Sequence, residues 1–172
     1  MEPDIDLVVA LGNVYFADGN STMAERASRK LGTGVWEGDE ILHEFLKGNI
    51  SPQMCTVMIR TQTLRDRGGF RPDWPYAEDL ASWVPLLLAG RGGFVNERCG
   101  TYCIYGSTHT ASLSGDLVVQ DIKKLADLIA DTADASMEDP RRSREIRFLT
   151  RRYLARHTLG NLASRRREGA SL

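Results

Sequence analysis

Short apolar runs alternate along the chain with segments whose apolar residues recur at helical spacing. The runs at 6–16 and 54–59 predict strands, and the second is short enough to be fully buried. Residues 93–96 and 99–105 predict two further strands, one after the other. Residues 21–36 follow a turn and contain polar residues and glycine, so they predict a loop.

Helices are predicted between these runs. Apolar residues recur every three or four positions in residues 41–47, 77–89, 116–133 and 140–164. Pro85 predicts a kink in the second helix, because proline cannot donate to the carbonyl of residue 81. A short additional helix is predicted from Thr61 to Arg67. Strands separated by helices predict an α/β layered domain.

Size and composition are those of one ordinary domain. A chain of 172 residues can bury about 70% of its unfolded surface. No apolar run reaches the ~20 residues that span a bilayer, and the amino terminus lacks a secretory signal pattern. We therefore expect a cytoplasmic protein, or one peripheral at the inner face of a membrane. The three cysteines are an odd number, so we expect buried thiols rather than disulfides.

Charge is distributed unevenly, although the net charge is only −1. Residues 1–139 hold 12 basic and 21 acidic side chains, whereas residues 140–172 hold 10 arginines and two glutamates. The last predicted helix is therefore basic as well as amphipathic. It could pack on the acidic remainder of the chain or lie on an anionic membrane surface. Nucleic acid is the partner we expect least, because no interleaved aromatics or binding module accompany the arginines.

The candidate chemistry is concentrated in one central stretch. Gly68-Gly69-Phe70 precedes a loop with Trp74 and Tyr76, and Glu78 and Asp79 then begin a helix. Adjacent acids at a helix start are favoured by the helix dipole, whatever their function. An aromatic loop suits stacking on a sugar ring. A carboxylate beside such a loop is also well placed to accept a proton from a sugar hydroxyl.

The order of short motifs in this chain resembles the second half of a bacterial family 2 glycosyltransferase. Each motif is common alone, but their order and spacing together are fairly specific, and they cover about two thirds of the chain. The motifs are Gly48-Asn49-Ile50-Ser51-Pro52, the apolar run ending at Arg60, Gly68-Gly69-Phe70, Glu78-Asp79, Ala89-Gly90, Tyr105, and His109 to Ser114. The resemblance implies part of a GT-A fold with a mixed sheet in residues 1–115, followed by a helical extension in residues 116–172.

The resemblance also implies roles for individual residues. Asp79 matches the usual general base, which takes the proton of the acceptor hydroxyl as that oxygen attacks the donor sugar with inversion. Glu78 would orient the acceptor or the nearby backbone. Trp74, Tyr76 and Trp83 are the candidates to line the acceptor site.

The half of the family that holds the nucleotide has no counterpart in these residues. That half carries an Asp-x-Asp element for Mg²⁺ or Mn²⁺, so a divalent metal is expected for the complete enzyme, with no ligand assigned in this chain. Asp4-x-Asp6 has the letters of that element but precedes its strand, and we interpret it as surface charge. His109 is a weaker candidate to reach the metal or the diphosphate.

Two departures from the family pattern concern cations. Pro85 stands where an arginine often follows the acidic pair, and Gly106 stands where an arginine often follows the tyrosine. The predicted function is transfer of a sugar from a nucleotide-sugar to a saccharide or lipid-linked acceptor, as in bacterial cell-envelope polysaccharide synthesis. Two alternatives stay open: a catalytically silent acceptor-binding or regulatory module, and a membrane-surface adaptor acting through the basic helix.

Overall fold

A sheet of five strands forms the centre of the fold. The structure, a computed structural model, describes residues 4–17, 20–24, 27–105 and 113–167, with side chains as far as residue 160. The strands in this part of the chain are β1 (Leu7–Phe16), β2 (Ser21–Ala24), β3 (Gly34–Glu37), β4 (Val57–Ile59) and β5 (Arg91–Ile104). The helices are α1 (Gly38–Lys47), α2 (Thr61–Asp66), α3 (Glu78–Leu88), α4 (Gly115–Ser136) and α5 (Pro140–Arg167), with a 3₁₀ turn at Met54–Thr56.

The sheet is mixed and curled, and the chain is a mixed α/β protein, as the sequence predicts. The strand order is β2–β1–β5–β3, and β4 also pairs with β1. β1 and β5 run parallel, whereas β2 and β4 are antiparallel to β1, and β3 is antiparallel to β5. β4 pairs with the first residues of β1 and β2 with the last, so β1 supports two short neighbours.

The helices pack in two layers on this sheet. α1 and α3 contact the strands, and α4 and α5 pack on each other and on α3 and α1, respectively. One hydrophobic core joins all of these elements, so the predicted extension from residue 116 onward shares its core with the preceding part of the chain. The largest fully buried side chains include Leu7, Leu11, Ile41, Leu42, Trp83, Phe94, Ile122, Leu125 and Ile129.

Two predictions about short segments were wrong. The predicted loop at 21–36 contains β2 and β3, which are four residues each and are defined by pairing with β1 and β5 rather than by a local pattern. The predicted buried strand at 54–59 is a 3₁₀ turn followed by three residues of β4. Met58 is 65% exposed, so β4 is not a fully buried strand.

The two strands predicted at 93–96 and 99–105 are one strand, β5. Its register against β1 shifts between Ala10 and Gly12, and this irregularity separates the two apolar runs. Buried residues lie only near the start of β5, at 92–94, and the second half is largely exposed. Cys99 and Cys103 lie in that second half, and all three cysteines are exposed, so the prediction of buried thiols was wrong.

Gly38 illustrates how closely α1 and α3 approach. Its N–H donates to the carbonyl oxygen of Gly90 at 2.8 Å. A Cβ placed on Gly38 would lie 2.6 Å from the same oxygen and closer still to the carbonyl oxygen of Leu87. These obstacles are backbone atoms, which cannot rotate away as a side chain can.

We expect Gly38→Ala to lower the free energy of unfolding by about 2–3 kcal/mol, as overpacking does. Urea denaturation followed by circular dichroism would measure the change. Gly90→Ala is the matched control, because a Cβ there meets no atom within 4 Å. Its effect should stay within about 0.5 kcal/mol. Equal effects of the two substitutions would contradict this account of the contact.

Candidate functional site

Asp79 lies in the first turn of α3, and most of the rest of that helix is buried in the core. Its Oδ1 atom accepts a hydrogen bond from the N–H of Leu80 at 2.7 Å. In the described part of the chain it forms no ion pair. Burial raises the pKa of Asp79; the Leu80 amide opposes this shift, and the charge of Glu78 adds to it. A carboxylate with a raised pKa is a stronger proton acceptor than an ordinary aspartate.

The aromatic loop before α3 is held in place by α4. Asp121 is 1% exposed, and its Oδ2 atom accepts a hydrogen bond from the backbone N–H of Tyr76 at 2.7 Å. Lys124 contacts Oδ1 of the same carboxylate at 3.3 Å, and its ammonium lies 5.6 Å from the centre of the Trp74 ring. Asp121 is not among the site residues predicted from the sequence. Its signal was an acid among the apolar positions of an amphipathic helix, where a lone carboxylate needs a hydrogen-bond donor.

Tyr76 also contacts α5. Its hydroxyl lies 3.0 Å from Nε2 of His157, and the two rings are 5.6 Å apart. Burial lowers the pKa of His157, and the charge of Arg156 lowers it further. Burial also raises the pKa of Tyr76, and the charge of Asp79 adds to this shift. Both groups are therefore neutral near pH 7, and the tautomer of the imidazole decides which of them donates.

Tyr153 completes a small cluster with these residues. Its ring stacks on His157 at a centroid distance of 5.8 Å. Burial strongly raises its pKa, and the charges of Tyr76 and Asp79 act in the same direction. We call Asp79, Tyr76, Tyr153 and His157 the Asp79 cluster. It brings a carboxylate, two phenols and an imidazole together where α3 and α5 meet the aromatic loop.

The other predicted site residues lie in different surroundings. Glu78 is exposed beside Asp79. Trp74 is 6% exposed and Trp83 is 1% exposed, so packing against core neighbours is favoured over contact with an acceptor. Trp83 packs 6.4 Å from Phe45, and its Nε1 atom has no hydrogen-bond partner among the described residues. His109 lies outside the described residues.

Neither of the acids at the amino terminus is arranged as a metal ligand. Asp6 accepts hydrogen bonds from Arg60 at 3.0 Å and Thr63 at 2.7 Å, and Asp4 pairs with Arg91. These contacts agree with the interpretation of Asp4-x-Asp6 as surface charge. Within the described ranges, no group of three or more His, Cys, Asp or Glu side chains could hold a metal ion.

A separate cavity of about 790 Å³ lies between β2, the end of α1 and residues 48–53. Its lining includes the cations Arg29, Lys30 and Lys47 together with Glu44. Although burial alone would raise the pKa of Glu44, hydrogen bonds from Asn49 and His43 and the two lysines lower it. Neither this cavity nor a second one of about 560 Å³ is lined by the Asp79 cluster.

Comparison of the chain with protein-family models, with curated proteins and with solved structures finds no match. No helix in the described ranges is both long enough and apolar enough to cross a membrane.

Asp121→Ala should lower the free energy of unfolding by about 1–3 kcal/mol, because it leaves the partly buried N–H of Tyr76 without its acceptor. Urea denaturation would measure this change. Asp121→Asn should lose less stability, since its side-chain oxygen can still accept the bond. Asp131→Ala, an exposed acid on the same helix, is the control and should change stability by no more than about 0.5 kcal/mol. Similar losses for both alanine variants would contradict the role of Asp121.

His157 should make stability depend on pH. Its folded pKa lies below the unfolded value of 6.5, so the unfolded chain binds a proton that the folded chain excludes in that interval. Stability should therefore decrease as the pH falls below 6.5. His157→Gln keeps a polar side chain that does not titrate. The stability difference between wild type and variant should shrink from neutral pH to about pH 5. A difference that stays constant across this range would contradict the assignment.

Proposed function

We propose that this chain is the acceptor-side part of an inverting glycosyltransferase of the GT-A type, with Asp79 as its general base. The observation that carries the proposal is the state of the Asp79 carboxylate. It is half-buried, has a raised pKa and no ion-pair partner in the described part of the chain, and lies beside an aromatic loop. These properties suit a group that must accept a proton near neutral pH.

The chemistry assigned to Asp79 is a single proton transfer coupled to substitution. A hydroxyl oxygen of the acceptor attacks the anomeric carbon of the donor sugar and forms the new C–O bond. The bond between that carbon and the diphosphate oxygen breaks on the opposite face, and the nucleoside diphosphate leaves with the electron pair. The hydroxyl proton passes to the Asp79 carboxylate and from there to water.

Surrounding residues fix the position of this carboxylate. The main-chain N–H of Leu80 donates to Oδ1, and no side chain in the described part of the chain donates a hydrogen bond to Asp79. The buried residues of α3 anchor the helix, and Asp121 anchors the loop that precedes it. Tyr76 is the aromatic residue of that loop with a partly exposed surface, so we assign it to contact with the acceptor.

The fold and the motif order support the GT-A assignment. β5 follows the helix that begins with the acidic pair, which agrees with the order of motifs in the resemblance. Among the described residues, no group of side chains could bind Mg²⁺ or Mn²⁺. The nucleotide-sugar is taken as the donor because the resemblance implies it.

A second candidate function is a catalytically silent module that binds the acceptor. It is favoured because no cation in the described part of the chain forms an ion pair with the Asp79 cluster. Pro85 occupies the position where the family often has an arginine. Arg156, the nearby cation, donates instead to the carbonyl oxygens of Leu46 and Lys47 at 3.1 and 3.0 Å.

Asp79→Asn should lower the turnover rate by about 10²–10⁴-fold, because the amide cannot accept the proton. The assay uses a protein that joins this chain to a nucleotide-binding half of the family. It is incubated with a panel of nucleotide-sugars, Mn²⁺ and saccharide acceptors, and nucleoside diphosphate and glycan products are measured. Glu78→Gln is the matched control, since it removes the adjacent carboxylate and should reduce turnover far less. Turnover by Asp79→Asn at the wild-type rate would overturn the proposal.

Thermal unfolding separates a catalytic role from a structural one. Because the folded pKa of Asp79 lies above its unfolded value of 3.8, stability falls as the pH rises through that interval and stays reduced above it. Asp79→Asn should therefore unfold at the same or a higher temperature near pH 7. The silent module would be favoured if the protein binds saccharide without turnover and Tyr76→Ala weakens that binding. If the protein shows no turnover and binds no saccharide, both proposed functions are overturned.

A further inference from the structure

One face of α5 is exposed along most of the helix and carries a consistent chemistry. Its residues recur at spacings of three or four positions, which places them on one side of a helix. We call this face the α5 stripe; it consists of Arg141, Arg144, Phe148, Arg151, Arg152, Ala155 and Leu159. All seven are exposed, whereas Ile146 and Leu149 on the inner face are buried in the core.

The arginines of α5 form two sets. Arg142 pairs with Asp39, Arg147 pairs with Asp134, and Arg156 donates to carbonyl oxygens at the end of α1. These three hold α5 against the rest of the chain. The four arginines of the stripe form no ion pair within the described part of the chain. The stripe therefore presents four positive charges outward. Glu145 is exposed at its edge, and its carboxylate contacts Arg142 and His43.

Two large apolar side chains lie among these charges. Phe148 is 59% exposed and Leu159 is 66% exposed. They are separated by eleven positions, or about 16 Å along the helix axis. The guanidinium of Arg152 lies 5.8 Å from the centre of the Phe148 ring. The stripe thus combines two apolar side chains, three turns apart, with flanking arginines.

We propose that the α5 stripe docks on a membrane surface that contains anionic lipids. Charge complementarity selects this partner, because lipid phosphates and carboxylates match four arginines that form no ion pair in the described chain. The exposed Phe148 and Leu159 would enter the interface between head groups and acyl chains, as the apolar residues of surface-bound helices do. Nucleic acid could use the arginines, but it would offer little to an exposed leucine. This inference does not depend on the proposed sugar transfer.

Co-sedimentation with vesicles tests the docking. The whole chain should bind vesicles of phosphatidylcholine with one-third phosphatidylserine, and binding should weaken as NaCl rises. Vesicles of phosphatidylcholine alone should bind far less. Arg151→Gln should weaken the partition coefficient about fivefold, the contribution of one arginine at an anionic surface. Arg147→Gln removes the same charge from the same helix outside the stripe, and should weaken it no more than about twofold.

The double variant Phe148→Ser, Leu159→Ser tests insertion at unchanged charge, and it should weaken vesicle binding at least about tenfold. All of the substituted residues of the stripe are exposed, so thermal unfolding should match the wild type. Equal effects of Arg151→Gln and Arg147→Gln, or equal binding to neutral vesicles, would overturn the proposal. Tighter binding to an oligonucleotide than to anionic vesicles would overturn it. If the chain does not bind vesicles but self-associates, and the double variant abolishes that self-association, the stripe instead binds a second copy of the chain.

Discussion

The buried carboxylate of Asp121 connects the elements on which the candidate site depends. Its bond to the Tyr76 N–H joins α4 to the aromatic loop, and the loop leads directly into α3 and Asp79. A buried carboxylate without a donor would be strongly unfavourable, so this contact fixes both partners together. Tyr76 then reaches His157, which extends the same connection to α5. The position of Asp79 therefore depends on Asp121 and His157, which lie more than 40 residues later in the chain.

The sequence predicts the long elements well and the short ones poorly, for a physical reason. α4 and α5 each bury one face, so their spacing of apolar residues is visible without the structure. α1 and α3 are buried over most of their surface, and their apolar stretches are long enough to be recognised as helices. β2, β3 and β4 have three or four residues, and pairing with longer strands defines them. Met58 on β4 and the two thiols on β5 are exposed, and exposure depends on tertiary packing that no local pattern contains.

The same distinction applies to the candidate site. A helix start at Glu78-Asp79 could be predicted, because the acids precede an apolar stretch of helical spacing. The partners of Tyr76 could not, because Asp121 and His157 lie 45 and 81 positions away. Trp83 is a residue whose surroundings the sequence could not decide. It occurs one turn after Asp79 and could face either the site or the core, and its contact with Phe45 places it in the core.

The structure is needed to tell which arginines of the basic end pair within the chain and which stay exposed. From composition, the basic end could bind either the acidic remainder or an external anion. Within one helix, Arg142 and Arg147 form ion pairs with carboxylates of the chain, whereas Arg144 and Arg151 are exposed. Internal pairing thus accounts for part of the positive charge and leaves the rest on one face. An amphipathic helix usually has an apolar face on the core and a polar face in water. The two exposed apolar side chains of α5 do not fit that pattern, and docking on a lipid surface would bury them.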